Sequence, residues 1–262
     1  MSKIDLYCAD AILKMKELIA EGVKVDAIII DPPYGQTPLK WDSTLPFNEL
    51  WECIDQIKKD ASTPIIIFGQ EPFSSFVRMS NIELYKYDWY WKKERLTNVF
   101  QVKRRPGKII ENIMVFYDTQ CTYNPQKTIH NGPKRTNKVG DKAKFSETQS
   151  GQYNVKPTEY NDDGTRYPLQ LIECNRDSMY DTRYHPTQKP LELIETLVKT
   201  YTKPGDTVLD FVMGSGTTAL ACVKNNRNCI GIDNNNDYFN IANKRIEEFK
   251  QINETLNNTE NI

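Results

Sequence analysis

Histidine is scarce in this chain, with two in 262 residues, and its six cysteines stand far apart. Zinc sites and disulfide frameworks need such residues at short, repeated spacings, so neither is indicated. Cys8, Cys53, Cys121, Cys174, Cys222 and Cys229 read as small apolar side chains in a reducing compartment. Long apolar runs are missing too: Asp5 and Asp10 interrupt the first segment, and nothing reaches the length of a membrane span. Internal repeats and low-complexity tracts are absent. What remains is the expectation of a cytoplasmic protein with one large α/β domain, or one domain carrying an insertion, and no metal.

Net charge is close to balanced at −1, but its distribution is not. From Lys86 to Phe145 there are 14 Lys and Arg against 5 Asp and Glu, a net of +9, which leaves 20 against 30 for the remainder. Tyr90, Trp91, Phe100, Tyr117 and Tyr123 are interleaved with these basic residues. That mixture suits a surface tracking a nucleic-acid backbone, and Lys92, Lys93, Arg95, Lys103, Arg104 and Arg105 are the candidate phosphate contacts. A merely solubilising face is the plainer alternative.

The stretch Ala27-Ile28-Ile29-Ile30-Asp31-Pro32-Pro33-Tyr34-Gly35 carries the chemistry. Its apolar, mostly β-branched run suits a strand buried on both faces of a parallel sheet, and the two prolines forbid its continuation. In open α/β sheets ligands sit at the carboxyl ends of strands. A rigid turn there presents a carboxylate, stiffly held carbonyls and an aromatic face. Such a set suits an amino group on a planar base. Asp-Pro-Pro alone favours a plain strand followed by a proline turn; Tyr34 and Gly35 bring the two readings level.

Along the chain, Lys3 to Tyr7 reads as a strand and Ala11 to Ala20 as a helix, with Asp10 at their junction. A loop containing Trp41 leads to a helix over about Asn48 to Lys59. Ile65 to Phe68 is a buried strand, Pro72 to Met79 a helix, and Tyr85 to Lys92 with Asn112 to Tyr117 an antiparallel pair. Between Asp118 and Arg183 periodicity disappears over a length that marks a functional or mobile segment. It returns at Pro190 with a helix that Thr187 is placed to cap. Thr207 to Asp210, Ala219 to Lys224, Asn228 to Asp233 and Tyr238 to Phe249 continue as strand, helix, strand and helix. The polar tail from Gln251 is expected to fray.

Gly214-Ser215-Gly216 lies between a strand and a helix, where glycines admit a ligand to the backbone and a helix N-terminus favours negative charge. With Asp233 ending the next strand, the pattern is also a loose dinucleotide fingerprint. On this loop alone, a nicotinamide-dependent oxidoreductase and a user of S-adenosylmethionine stay equally open.

Four segments, in order, resemble the DNA amino-methyltransferases of the permuted, β-type arrangement: Asp31-Pro32-Pro33-Tyr34, His185-Pro186-Thr187-Gln188-Lys189-Pro190, Asp210 to Thr218, and Ile230-Gly231-Ile232-Asp233. The resemblance covers about two thirds of the chain and leaves the irregular basic middle unmatched. It implies a Rossmann-like α/β methyltransferase sheet with circularly permuted motif order and an irregular basic target-recognition insertion. The expected layout is 1–117 catalytic half, 118–184 target-recognition region, 185–250 cofactor half and 251–262 polar tail. S-adenosylmethionine is the implied cofactor, with Asp10, His185, Thr187, Lys189, Asp210, Phe211, Gly214, Ser215, Gly216, Thr217, Thr218 and Asp233 around it. Asp31, Pro32, Pro33 and Tyr34 form the implied catalytic turn. One departure stands out. Many members have Asp-Pro-Phe where this chain has Asp210-Phe211-Val212, so Val212 replaces a phenylalanine and Phe211 is the candidate to compensate.

The implied reaction is methyl transfer to the N6 amino group of an adenine flipped out of double-stranded DNA, with Tyr34 stacking on the base. Asp in the first position of the turn accompanies adenine more often in this family, whereas Ser commonly accompanies cytosine, so N4 of cytosine is the alternative. An oxidoreductase leaves Asp31 to Tyr34 and the basic insert without a role; an inactive DNA-binding regulator leaves an intact turn and loop unexplained. Related Asn-Pro-Pro-Tyr turns act on glutamine amides or RNA, and the basic insert and permuted order favour DNA. A homodimer and a cognate restriction endonuclease are implied partners. The recognition sequence, and a restriction, phage or lone regulatory setting, stay open.

Overall fold

The computed structural model describes residues 2–35, 46–130, 132–133, 136–137, 160–175, 184 and 188–259. They form strands β1 (Ile4–Cys8), β2 (Ala27–Ile30), β3 (Ile65–Gly69), β4 (Tyr85–Lys92), β5 (Ile110–Phe116), β6 (Thr128–Ile129), β7 (Thr136–Asn137), β8 (Tyr160–Asn161), β9 (Thr165–Arg166), β10 (Leu171–Glu173), β11 (Thr207–Asp210) and β12 (Asn228–Asp233). The helices are α1 (Ala11–Ala20), α2 (Phe47–Ile57), α3 (Phe73–Ser80), α4 (Leu191–Tyr201), α5 (Thr217–Lys224) and α6 (Asn236–Thr259).

Eight strands make one sheet in the order β1-β12-β11-β2-β3-β5-β4-β10, with β5 alone running against the rest. Strand β2 shows why the sheet lies between two layers of helices. Ala27 and Ile29 pack with α4 and α5, while Ile28 and Ile30 pack with α1, α2 and α3 on the other face. All four are buried. Both faces of a strand in a mainly parallel sheet are covered by helices, and each isoleucine so buried contributes on the order of 1.5–3 kcal/mol. Helix α2 buries Leu50, Cys53, Ile54 and Ile57, the i, i+3, i+4, i+7 stripe of a surface helix.

The positions of β2 and β11 make the site. They are hydrogen-bonded neighbours, Val208 opposite Ala27 and Leu209 opposite Ile28, although about 180 residues of chain separate them. From β11 the chain proceeds outward to β12, whereas from β2 it proceeds the other way to β3. A crevice opens at such a reversal, beyond the carboxyl ends of the strands. Asp31 and Asp210 stand there.

Two compact units are present: 1–124 with 169–262, and Pro125–Pro168. In the smaller one, β6 pairs with β9 and β7 with β8, and Asp162 accepts from both terminal nitrogens of Arg166 and from the Gly164 N–H. Two sequence expectations differ from the structure. Strand β10 lies inside the expected insertion yet joins the main sheet beside β4. The expected frayed tail is helical to Thr259 within α6, since Gln251 to Thr259 contains neither Gly nor Pro to stop the helix. Trp41, His185 and Thr187 lie outside the described residues, and the residue preceding α4 is Pro190. Among the described residues no helix is long and apolar enough to cross a membrane. None of the six cysteines is in a disulfide.

Candidate active site

Strand β2 ends at Ile30, and the two prolines hold the following turn. Asp31 accepts a hydrogen bond from the Tyr34 hydroxyl at 2.8 Å through Oδ1, and from Lys189 Nζ at 2.5 Å through Oδ2. The Tyr34 ring lies against Phe73, with centroids 5.1 Å apart. Lys189 reaches Asp31 from the segment before α4 and is itself buried, its ammonium 5.1 Å from the centre of the Phe68 ring.

A second carboxylate completes an ion cluster. Glu111, at the start of β5, lies 3.4 Å from Lys189 Nζ through Oε2 and pairs through Oε1 with Lys93. Gln70 Nε2 donates to the same Oε1 at 3.2 Å. Burial pushes the Asp31 carboxyl above its ordinary range, with the Lys189 ammonium pulling against it and Glu111 adding to it. For Glu111 the balance is opposite: burial raises it, but two ammoniums overcome burial and hold it below the usual value. Burial works to lower Lys189, and the two carboxylates win and keep it protonated. Two ammoniums and two carboxylates thus neutralise one another in a place where a single charge would be very costly.

On the other side of the crevice, β11 leads through Met213 into the glycine loop. Gly216 has a φ of +75°, and a Cβ there would come within 2.7 Å of Ala242 Cβ, so only glycine fits between the loop and α6. The Gly214 N–H donates to Asp233 Oδ2 at 2.9 Å, tying the loop to the end of β12. Asp10 caps α1 by accepting from the Leu13 N–H at 3.0 Å. Asp210 is buried and accepts from the Val212 N–H; burial pushes its carboxyl up to about 7, against the pull of the Thr218 hydroxyl and that N–H, with Asp31 and Asp233 adding to the rise.

Several residues escaped the sequence reading. Arg245 of α6, buried, donates to the Ser215 carbonyl at 2.5 Å and lies 3.3 Å from Thr217 Oγ1. Gln188, present in the resembling segment but not assigned to the site, accepts from the Ser215 hydroxyl at 3.2 Å. Glu111 escaped because nothing in Ile-Glu-Asn marks a buried ion partner. For Arg245 a signal existed: it shares a helix face with Ala242 and Ile246, both buried.

Two expected site residues sit elsewhere than anticipated. Lys93 is 4% exposed and turned onto Glu111, so it belongs to the ion cluster and not to an outer basic face. Phe211 is 1% exposed and packs in the apolar core with Leu209 and Ile230, where it has no face to offer a ligand. Lys189 meets Asp31 and Glu111. Lys92 pairs with Glu173 across β4 and β10, and Arg95, Lys103, Arg104 and Arg105 are exposed on the loop between β4 and β5. Ser215, Thr217 and Thr218 are buried in the loop and first turn of α5.

Comparison with known proteins bears on this geometry. A family model described as DNA methylase, of the N6/N4 type, matches residues 25–244. The chain is 28% identical over 253 residues to the Type II methyltransferase M.HpaI of Haemophilus parainfluenzae, covering 92% of this chain and 74% of that protein. It is 26% identical to the DNA adenine methyltransferase YhdJ of Escherichia coli K12, covering 91% and 81%. The crystal structure of an M1.HpyAVI-SAM complex superposes with a TM-score of 0.63 at 28% identity, over 92% of this chain and 99% of that one. The cytosine-N4-specific PvuII DNA methyltransferase shares the fold, with a TM-score of 0.60 at 16% identity.

Proposed function

Because the chain belongs to the DNA methylase family of N6/N4 type, we propose that it methylates the N6 amino group of an adenine flipped out of double-stranded DNA, with Asp31 orienting that group. The observation that carries this reading is Asp31 itself, a carboxylate held by Tyr34 and Lys189 at the sheet's reversal point. The likeness to an adenine methyltransferase over nine tenths of the chain supports adenine over cytosine.

The residues at the ends of β11 and β12 fit S-adenosylmethionine. Asp233 keeps lone pairs beyond those taken by the Gly214 and Asn235 N–H groups, enough to accept from ribose hydroxyls. A Cβ on Gly214 would meet nothing within 4 Å, so the loop has open space beside it, and the first N–H groups of α5 suit a carboxylate. When bound, the cofactor supplies a methyl group activated on a sulfonium.

An adenine amino nitrogen is a poor nucleophile because its lone pair is delocalised into the ring. Asp31 and the Pro32 carbonyl are the acceptors for its two hydrogens, which lets the nitrogen rehybridise and aim the lone pair at the methyl group. Oriented acceptors of this kind are each worth on the order of 10²–10³ in rate. As the new N–C bond forms, the nitrogen must shed a proton, and Asp31, whose affinity for protons burial has raised, is the nearest base. Tyr34 is the stacking face for the base.

The smaller unit, with the remainder of 118–184, is the target-recognition region in this reading, and Arg95, Lys103, Arg104 and Arg105 contact phosphates. The enzyme acts in the cytoplasm as a homodimer, and a cognate restriction endonuclease is its natural partner. Nucleoside mass spectrometry of digested DNA from an expressing host tests the central assignment: N6-methyladenine is expected, and N4-methylcytosine as sole product would refute it. Long-read sequencing of the same DNA would give the recognition site.

A further inference from the structure

The loop between β4 and β5 carries an unusual combination. Phe100 at its apex is fully exposed, and Val99 and Val102 beside it are exposed as well, although large apolar cores lie on both faces of the sheet. Around them stand Arg95, Lys103, Arg104 and Arg105, all exposed. A loop that merely kept the protein soluble would not display three apolar side chains among its charges.

Its backbone is well tied. Thr97 N–H donates to the Lys108 carbonyl, Lys108 N–H to Asn98 Oδ1, and Asn98 Nδ2 to the Pro106 carbonyl, so Asn98 clamps the returning arm of the loop. Val99–Gln101 form a short 3₁₀ turn, and the Arg104 and Arg105 N–H groups both donate to the Gln101 carbonyl. Phe100 is therefore presented from a braced apex.

The loop's place in the fold gives it a target. Strand β4 runs in the same direction as β2 and β3, so the loop leaves the sheet at the edge where Asp31 stands. The residues at its two feet, Lys93 and Glu111, are members of the ion cluster that holds Lys189 and Asp31. The feet are thus fixed by charge to the candidate catalytic carboxylate.

We propose that this loop enters the DNA duplex and that Phe100 is the wedge that fills the stack vacated by the flipped base, with Lys103, Arg104 and Arg105 on the flanking phosphates. The inference rests on the DNA-methyltransferase reading. Apolar side chains inserted between base steps stabilise unstacked DNA, and an enzyme that extrudes its target base leaves a gap that an aromatic ring can occupy. A fully exposed ring gains nothing in the free protein and gains most of its burial in that gap.

The test uses synthetic duplexes containing the recognition site, in two forms: target base paired, and target base opposite an abasic position. Phe100→Ala should melt at the wild-type temperature and leave cofactor affinity unchanged. It should lower kcat/KM on the paired duplex by roughly 10- to 100-fold, a part of the unpairing cost, and lose most of that defect on the unpaired target. Phe100→Trp should recover the rate on the paired duplex. An equal defect on both duplexes, or no defect on either, would overturn the wedge. A wild-type enzyme that methylates neither duplex would overturn the underlying reading, and the wedge with it.

Discussion

Lys189 Nζ and Asp31 Oδ2 lie 2.5 Å apart, so the candidate catalytic carboxylate carries its own counter-ion from a segment more than 150 residues away. Glu111 Oε2, 3.4 Å from the same ammonium, makes no hydrogen bond among the described residues and is a second position for it. Lys189 can therefore yield the Asp31 oxygen to an arriving amino group without losing a carboxylate partner.

Replacing Lys189 by methionine should expose this dependence. Without the ammonium, only the Tyr34 hydroxyl still opposes burial and Glu111 at Asp31, and its proton affinity rises further. The acid limb of the kcat–pH profile should move to higher pH, and kcat at neutral pH should fall by roughly 100-fold, the size of losing one oriented charge. Calorimetric affinity for S-adenosylmethionine should hold. A weakened affinity with an unmoved pH profile would mean that Lys189 serves the cofactor.

Asp31→Ala should abolish transfer while leaving cofactor binding intact, because the lost acceptor acts on the base. Lys189 keeps Glu111 as a partner in that variant. Radiolabelled methyl transfer beside calorimetry gives both numbers, and unchanged turnover would remove the proposed mechanism.

Asp210 makes stability depend on pH. Its carboxyl is pushed up to about 7 from an unfolded value near 3.8, so between those values the native state binds more protons than the unfolded chain. Stability from this group is then greatest below the unfolded value and is lost as pH rises towards 7, at up to ~1.4 kcal/mol per pH unit. Asp210→Asn removes the titration. Urea melts from pH 5 to 8 should show the variant gaining on the wild type with rising pH and levelling off above 7; a constant difference would contradict the burial argument.

Arg245→Ala should loosen the glycine loop. Its guanidinium holds the Ser215 carbonyl, and hydrogen bonds to a charged donor of this kind contribute roughly 1.5–3 kcal/mol. A lower melting temperature and about tenfold weaker cofactor binding are expected. An unshifted affinity would separate the clamp from the ligand.

DNA affinity should fall steeply with salt, and Arg104→Ala with Arg105→Ala should reduce the slope of log K against log salt by about 2, near one unit per phosphate contact. Electrophoretic binding at graded salt measures it. An unchanged slope would place the phosphate contacts elsewhere.

The parts of this architecture legible in the sequence are those whose residue types admit few alternatives. The isoleucines of β2 are buried on both faces, and a continuous β-branched run has few other uses. Gly216 was legible because a left-handed turn against a helix excludes other residues. Lys93 was misplaced because a lysine in a basic segment does not announce that its neighbour across the sheet is a carboxylate; the pairing arises from β4 and β5 lying side by side. Phe211 looked like a substitute for a family ring by its position in the chain, yet one residue past β11 it lies in the core with Leu209 and Ile230. Strand β10 has three residues and no period to read, and its place beside β4 is settled by the sheet edge.

The pairing of β2 with β11, and of β1 with β12, has a consequence for the chain as it is made. Asp31 leaves the ribosome well before the lysine that neutralises it and the strand beside it, which follow more than 150 residues later. Until then the first two strands have no neighbours at their inner edges, and the nascent chain has no closed site. A translation product that stops before β11 and β12 would carry the candidate catalytic turn without the strands and the lysine that surround it, so the site can close only once those two strands have been made.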